Sequence, residues 1–387
     1  MEHHQMRKIA GSVLLASILL AFVLAAGALP GQATASDAGK AEMARGVDPV
    51  FIRAGLRDGP PVFQPPPDRF LAGAPETATI TVTYVGVWDA SAQAAFQHAV
   101  DIWETLITSS ETIEVRATWT NLGGGILGAA GAETYFANFS GAPMADTMYP
   151  VALANKLAGT DLDPGFQDIN ATFNSAFPDW YFGTDGMPPG NKWDFVSVVL
   201  HEIGHGLGFA GSMQVGGGCG SGLGCWGIGA NNYPAVYDRF TENGSGTPLL
   251  SFTNFSAGLA TELTSGDVYF NGPLAIANNT GNLCQPVKLY APGAWQQGSS
   301  YSHLDEIFNG TPHALMTFSI TNGEAQHHPG GVTLGMFEDM AWDTIVKAPT
   351  GAGYNQLPIA GPTMGPTPMG SEYAYLPIVL RNSVPCV

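Results

Sequence analysis

Hydrophobic and polar positions change their period several times along this chain, and each change marks an element. Residues 79–85 (TITVTYV) alternate and are rich in β-branched side chains, which predicts a strand. From 90 to 107 the apolar residues Phe96, Val100, Trp103 and Ile107 recur at helical spacing. Residues 113–119 (IEVRATW) and 169–173 (INATF) read as further strands, separated by Gly- and Ala-rich material that no period assigns. Residues 191–208 predict a second long helix. Its Trp193, Phe195, Val196, Val198, Val199, Leu200 and Ile203 leave little polar face, so this helix is buried, yet it carries His201, Glu202 and His205. A buried charge needs a partner, and a metal ion is the partner these side chains suggest.

Residues 210–300 are rich in Gly, Asn, Ser and Thr and read as a long insertion, with small strands at 268–270 and 287–290. Residues 332–345 (VTLGMFEDMAWDTI) predict a closing helix with Thr333 as its cap. The fold class that follows is α+β, a twisted mixed sheet with two long helices and then a loop-rich C-terminal subdomain. Four stretches make up the expected organisation: 1–35 as a signal peptide, 36–75 as a Pro-rich linker or short propeptide, 76–346 as the folded domain, and 347–387 as a Gly/Pro-rich linker and tail.

The N-terminus bears on the compartment. Arg7 and Lys8 precede a run from Val13 to Ala26 that is apolar apart from Ser17, and Ala33-Thr34-Ala35 places small residues at a cleavage site. That is the pattern of a secretory signal, so the expected setting is extracellular, with no membrane span after cleavage. The tail sequence YLPIVLR resembles a short ending on some exported bacterial proteins, which points to the cell surface.

Composition narrows the partners. Thirty-two acidic residues against 14 basic ones give a net charge of −18. A lysine-poor acidic surface lacks the clustered cations that phosphate binding requires, which excludes nucleic acid. Export permits disulfides, and Cys219 and Cys225 in GGGCGSGLGCWG can close a small ring; Cys284 and Cys386 complete the four cysteines.

His201-Glu202-Ile203-Gly204-His205 matches H-E-x-x-H. Positions i and i+4 of a helix lie one turn apart on one face, so both imidazoles can reach one ion. Zinc lowers the pKa of a bound water toward about 7. A carboxylate beside the first histidine can then take its proton, and the hydroxide attacks a scissile carbonyl. This assigns His201 and His205 as metal ligands, Glu202 as general base and one catalytic Zn²⁺ as cofactor; calcium is not indicated.

HEIGHGLGF resembles the HExxHxxG core of the metzincin clan of zinc endopeptidases, in which the glycine, here Gly208, lets the chain turn sharply after the helix. The clan's usual third histidine would stand at 211, but this chain has Gly211 there. The leishmanolysin branch separates glycine and third histidine by a long insertion, and residues 209–302 resemble that plan, with His303 in Ser302-His303-Leu304-Asp305 as third ligand. Met316 in Leu315-Met316-Thr317 resembles the methionine turn beneath the metal. The resemblance covers residues 79–345, and it implies a zincin/metzincin-like catalytic domain acting on protein or peptide substrates. In some metzincins a tyrosine two residues beyond that methionine binds zinc; here the position is Phe318, and Tyr301 is the substitute to consider.

Other candidates compete. His98, His327 and His328 read as satisfied or solvated side chains, and His313 enters the methionine turn. Asp305 is near enough to His303 to compete or to orient a ligand, and Glu242 or Glu262 would be the third ligand of a thermolysin-type site. A non-catalytic zinc-stabilised binding protein and a zinc hydrolase of non-peptide amides are the alternative functions; a structural site has no need of a base such as Glu202.

Overall fold

The computed structural model describes residues 41–345 except 46–47, 57–61 and 280–284. The expected signal peptide, the tail after Ile345, Cys284 and Cys386 lie outside the described residues. The architecture is mixed α+β, built on a six-stranded mixed sheet. We number its strands in chain order: β1 (Val50–Gly55), β2 (Ile80–Val85), β3 (Ile113–Thr120), β4 (Ile126–Ala132), β5 (Ile169–Asn174) and β6 (Ser319–Thr321). Their order across the sheet is β6-β1-β4-β5-β3-β2. Strands β2, β3 and β5 are parallel to one another. Strand β4 runs antiparallel to both its neighbours, β5 and β1, and β1 runs parallel to β6.

Two long helices pack together beside the sheet. Helix α1 (Ala90–Leu106) buries Ala92, Ala95, Phe96, Ala99, Val100, Ile102, Trp103 and Leu106, one apolar stripe of a 3.6-residue period. Helix α2 (Phe195–Leu207) is buried at every position. The two are tied where Trp103 Nε1 donates to the Leu200 carbonyl at 3.0 Å. Phe96, Phe173 and Phe195 meet edge to face between helices and sheet, the arrangement that aromatic quadrupoles favour.

The start of α2 is four residues later than its apolar pattern suggests, because Trp193 and Asp194 belong to a short strand beside Trp180–Tyr181. Asp194 is the N-cap and accepts from the Ser197 amide at 2.8 Å. Its Oδ2 also pairs with His327 Nε2 at 2.9 Å, both side chains being fully buried. The reading of His327 as solvated is thereby corrected: it sits under the helix cap. His328 is half-buried, and its Nδ1 accepts from the Gly330 amide.

Two further expectations change. Within the stretch read as a linker or short propeptide, the described residues form Glu42–Arg45, β1, Phe63–Gln64 and a short helix, Asp68–Leu71, which an irregular linker would not. The closing helix α3 spans Gly330–Asp339, so Thr333 lies buried within it and is not its cap. Trp342 follows α3 and donates from Nε1 to the Leu207 carbonyl, satisfying one of the orphan acceptors at the end of α2.

The stretch after α2 is loop-rich, as expected, with only short elements such as Val268–Phe270, Val287–Lys288, Ala257–Leu263 and Pro273–Asn278. Cys219 and Cys225 form the expected disulfide. Among the described residues no helix is long and apolar enough to cross a membrane.

Candidate metal centre

Helix α2 brings His201 and His205 onto one face, and its end is shaped by Gly208. That residue has φ 120°, and a Cβ there would come within 2.8 Å of Pro150 Cγ. Both constraints exclude a side chain. The turn folds Phe209 back beneath the helix, so that His205 Nδ1 meets the Phe209 carbonyl at 2.7 Å.

The third histidine arrives on a separate segment. Tyr301 and Leu304 are held by backbone bonds to Tyr290 and Met316, which fix His303 between them. Gly211, where the usual spacing would place the third ligand, has its side-chain space filled by the Tyr301 ring; a Cβ there would meet Tyr301 Cε1 at 2.0 Å. The missing side chain at 211 therefore makes room for the Tyr301 ring on the segment that carries His303. Tyr301 itself is committed, its hydroxyl donating to Asp238 Oδ1 at 2.8 Å with Thr241 Oγ1 at 2.9 Å. It is not available for a contact at the metal.

His201, His205 and His303 form the one potential metal-binding cluster found among the described residues, and all three are completely buried. Their Nε2 atoms lie 2.9, 3.2 and 3.3 Å apart. Tetrahedral ligands at zinc–nitrogen bonds of about 2.0–2.1 Å stand roughly 3.3 Å apart, so the triangle fits one ion with one coordination position left over. Each Nδ1 is placed against a backbone carbonyl: Leu315 for His201 at 2.6 Å, Phe209 for His205 at 2.7 Å and Ser299 for His303 at 2.7 Å. With Nδ1–H donated outward, each neutral ring presents its Nε2 lone pair inward. Three converging acceptors without a donor are unfavourable by themselves and favourable around a cation.

Burial reinforces this protonation state. It pushes His201 down to about 4, and it holds His205 and His303 well below the ordinary histidine value, with the neighbouring imidazoles adding to the effect. Glu202 is also fully buried, which raises its carboxyl well above the usual range against a lowering contribution from the Ile52 amide. The Ile52 N–H donates to Oε1 at 3.3 Å, while Oε2 is buried with no hydrogen-bond partner. Strand β4 passes close by, and a Cβ on Gly128 would lie 2.7 Å from Glu202 Oε1.

Met316 lies against the last turn of α2, its Sδ 3.0 Å from the position a Cβ would take on Gly204. It ends the turn Ala314–Met316, whose Leu315 carbonyl orients His201. This turn thus reaches both ligand segments, since Met316 O also accepts from the Leu304 amide.

The remaining sequence candidates are placed elsewhere. Asp305 caps the turn Glu306–Phe308 and pairs with Lys288. Glu242 and Glu262 accept from Asn271 and Asn243, respectively. His98 packs edge-on against Phe70 and His327, and His313 Nδ1 accepts from the Val332 amide. The groups that escaped the sequence reading are Gly128, the Ile52 amide and the anchoring carbonyls of Leu315, Phe209 and Ser299. All but Gly128 act through backbone atoms, which leave no trace in residue type; only the Gly128 setting in a Gly/Ala run hinted at close approach.

A family model described as SPBPB7E8-like matches residues 137–215, a span that includes the whole of α2 and the turn at Gly208. No curated protein matches the chain, and no solved structure does.

Proposed function

We propose that this protein is a secreted zinc-dependent endopeptidase of metzincin type, related in plan to the leishmanolysins. The observation that carries the reading is the set of three buried, outward-anchored imidazoles beside a buried carboxylate with one unpartnered oxygen. A site that served only to brace the fold would have no use for Glu202 there. Held by these three histidines, a zinc ion would supply a Lewis acid and a bound water of pKa about 7, and its charge would favour the ionised form of Glu202.

The protein's own groups divide the remaining work. His201, His205 and His303 hold the ion through Nε2, and the carbonyls of Leu315, Phe209 and Ser299 fix their tautomers. Glu202 takes the proton of the attacking water on its free oxygen, then delivers it to the leaving amine.

The test is metal analysis of the purified protein together with casein or gelatin digestion, with and without chelator. One zinc per chain and chelator-sensitive digestion are expected. Stoichiometric zinc without hydrolysis of any protein or peptide substrate, after the site has been made accessible, would leave a structural or non-peptide role.

A further inference from the structure

The metal cradle and its base are completely buried, a state in which no polypeptide can reach them. On the side of the base the site is covered by β1. This strand lies between β4 and β6, antiparallel to the first and parallel to the second, with Ile52 opposite Gly128 and Arg53 opposite Ser319. Its backbone is bonded on both sides: Phe51 N to Gly298 O at 2.7 Å, Arg53 N to Phe318 O at 3.0 Å and Ala54 N to Gly125 O at 2.9 Å. Between these, the Ile52 N–H is spent on Glu202 Oε1. The Phe51 ring covers Gly298, where a Cβ would come within 1.9 Å of it. Arg53 Nε reaches Ser299 Oγ at 3.4 Å, on the residue whose carbonyl anchors His303.

Resting on the peptidase reading of this site, we propose that β1 is an internal pseudosubstrate strand that keeps the protein latent until it withdraws from the groove between β4 and β6. Three features separate it from an ordinary sheet strand. Its central amide is hydrogen-bonded to the presumed base and not to the ladder. The pairing with β4 shifts register between Ile52 and Arg53, directly above that base. The position it fills is also the extended, edge-paired one that a peptide would need in order to bring a carbonyl to the metal. No cysteine is involved: all four lie at 219 or beyond, so the cover is a matter of occupancy and not of metal ligation. The strand is anchored on its N-terminal side by Glu42–Arg45 pairing with Thr134–Ala137, and Arg45 is bonded to Asp163 at 2.8 Å. On its C-terminal side Phe63–Gln64 pairs with Ala325–Gln326. Tethers at both ends make the cover intramolecular, so its effective concentration at the groove is high and a free peptide competes poorly.

The experiment uses the full chain loaded with cobalt in place of zinc, and it follows the visible spectrum while leucine hydroxamate is added. Ile52→Pro removes the amide that bonds Glu202, and Arg53→Pro removes the one that bonds Phe318, so either weakens the cover without touching a ligand. Both variants should keep one metal per chain and bind the hydroxamate with a midpoint at least tenfold below that of the unaltered protein. They should also digest casein at least tenfold faster. Equal midpoints in unaltered protein and variants would overturn the cover. A lowered midpoint without casein digestion would leave the cover standing and sink the peptidase reading instead. As a measurement independent of any variant, the Phe51, Arg53 and Ala54 amides of the unaltered protein should be protected from hydrogen exchange; exchange at unstructured-chain rates would overturn the proposal as well.

Discussion

Helix α2, braced by the turn Ala314–Met316, and strand β1 meet at Glu202, yet they are held in different ways. Every ligand on the metal side is fixed twice, by a buried ring among apolar neighbours and by a carbonyl on its Nδ1. Those carbonyls come from the α2 exit, from the turn at Ala314–Met316 and from Ser299, so three separate segments must move before the triangle opens. Strand β1, by contrast, depends on backbone bonds to segments distant in sequence, and its pairing is interrupted at the site itself. The lesson is that holding a metal and reaching it are separable properties here. Substitutions on the first side should change occupancy or chemistry, whereas those on the second should change access.

The largest effect is expected from His303→Ala. Removing one of three ligands leaves two imidazoles from a single helix turn, and the variant should lose most of its zinc and all hydrolysis, as measured by metal analysis. His98→Ala should keep its zinc. His327→Ala is now expected to lower thermal stability, because it strips Asp194 of a buried partner, but its metal content should not change. Stoichiometric zinc in His303→Ala would mean that the third ligand is something else.

Glu202→Gln comes next. The amide preserves the shape beside the ion but cannot take a proton, so turnover should fall by about 10²–10⁴-fold with zinc retained. A variant with unaltered turnover would remove Glu202 from the mechanism. Gly128→Ala probes the same carboxylate from the strand side. A Cβ placed 2.7 Å from Oε1 must displace it, and a misplaced base should cost roughly 10- to 100-fold in turnover, again with full metal. If turnover in that variant is normal, β4 does not set the position of the base.

The acid side tests the burial of the ligands. A histidine whose pKa is lowered keeps its neutral, metal-binding form as pH falls, and His201 reaches protonation only near about 4, with His205 and His303 well below the ordinary value too. Zinc affinity of the folded protein, followed by equilibrium dialysis, should therefore stay level from pH 7 to pH 5. A solvent-exposed trio would begin to lose metal below about 6.5, the ordinary histidine pKa. An early decline with the fold intact would contradict the buried arrangement.

The two regions also differ in how far they could be read from the residues. His201, Glu202 and His205 were legible because one ion demands fixed side chains one helical turn apart, a local signal. Gly208 was legible through the resemblance, and the structure adds its physical reason in φ and in Pro150. His303 and Met316 came only from the resemblance, since residues 209–302 intervene and no period spans them. Strand β4 was unassigned because ILGAAGA has few β-branched residues; its small side chains answer to Glu202 packed against Gly128, a tertiary demand that overrides propensity. Strand β1 hid for a related reason. VFIRAG is short, and its partners in β4 and β6 are distant in sequence. His327 looked solvated in a turn-like segment because nothing nearby in sequence announces Asp194, the N-cap of α2.

The smallest effect is expected at the disulfide, which belongs to neither region. Cys219 and Cys225 are six residues apart, joined across a turn and a short strand pair in the insertion. Closing so small a ring removes little freedom from the unfolded chain, about 2 kcal/mol by loop-closure entropy. None of the three anchoring carbonyls, and neither Met316 nor Gly128, lies within the ring. The paired substitution Cys219→Ser and Cys225→Ser should therefore lower stability by about that amount in denaturant unfolding. Zinc content and the hydroxamate midpoint should be unchanged. A shift in the midpoint would show that the insertion helps to hold β1 in its groove, and the separation between frame and cover would then have to include the loop that carries these cysteines.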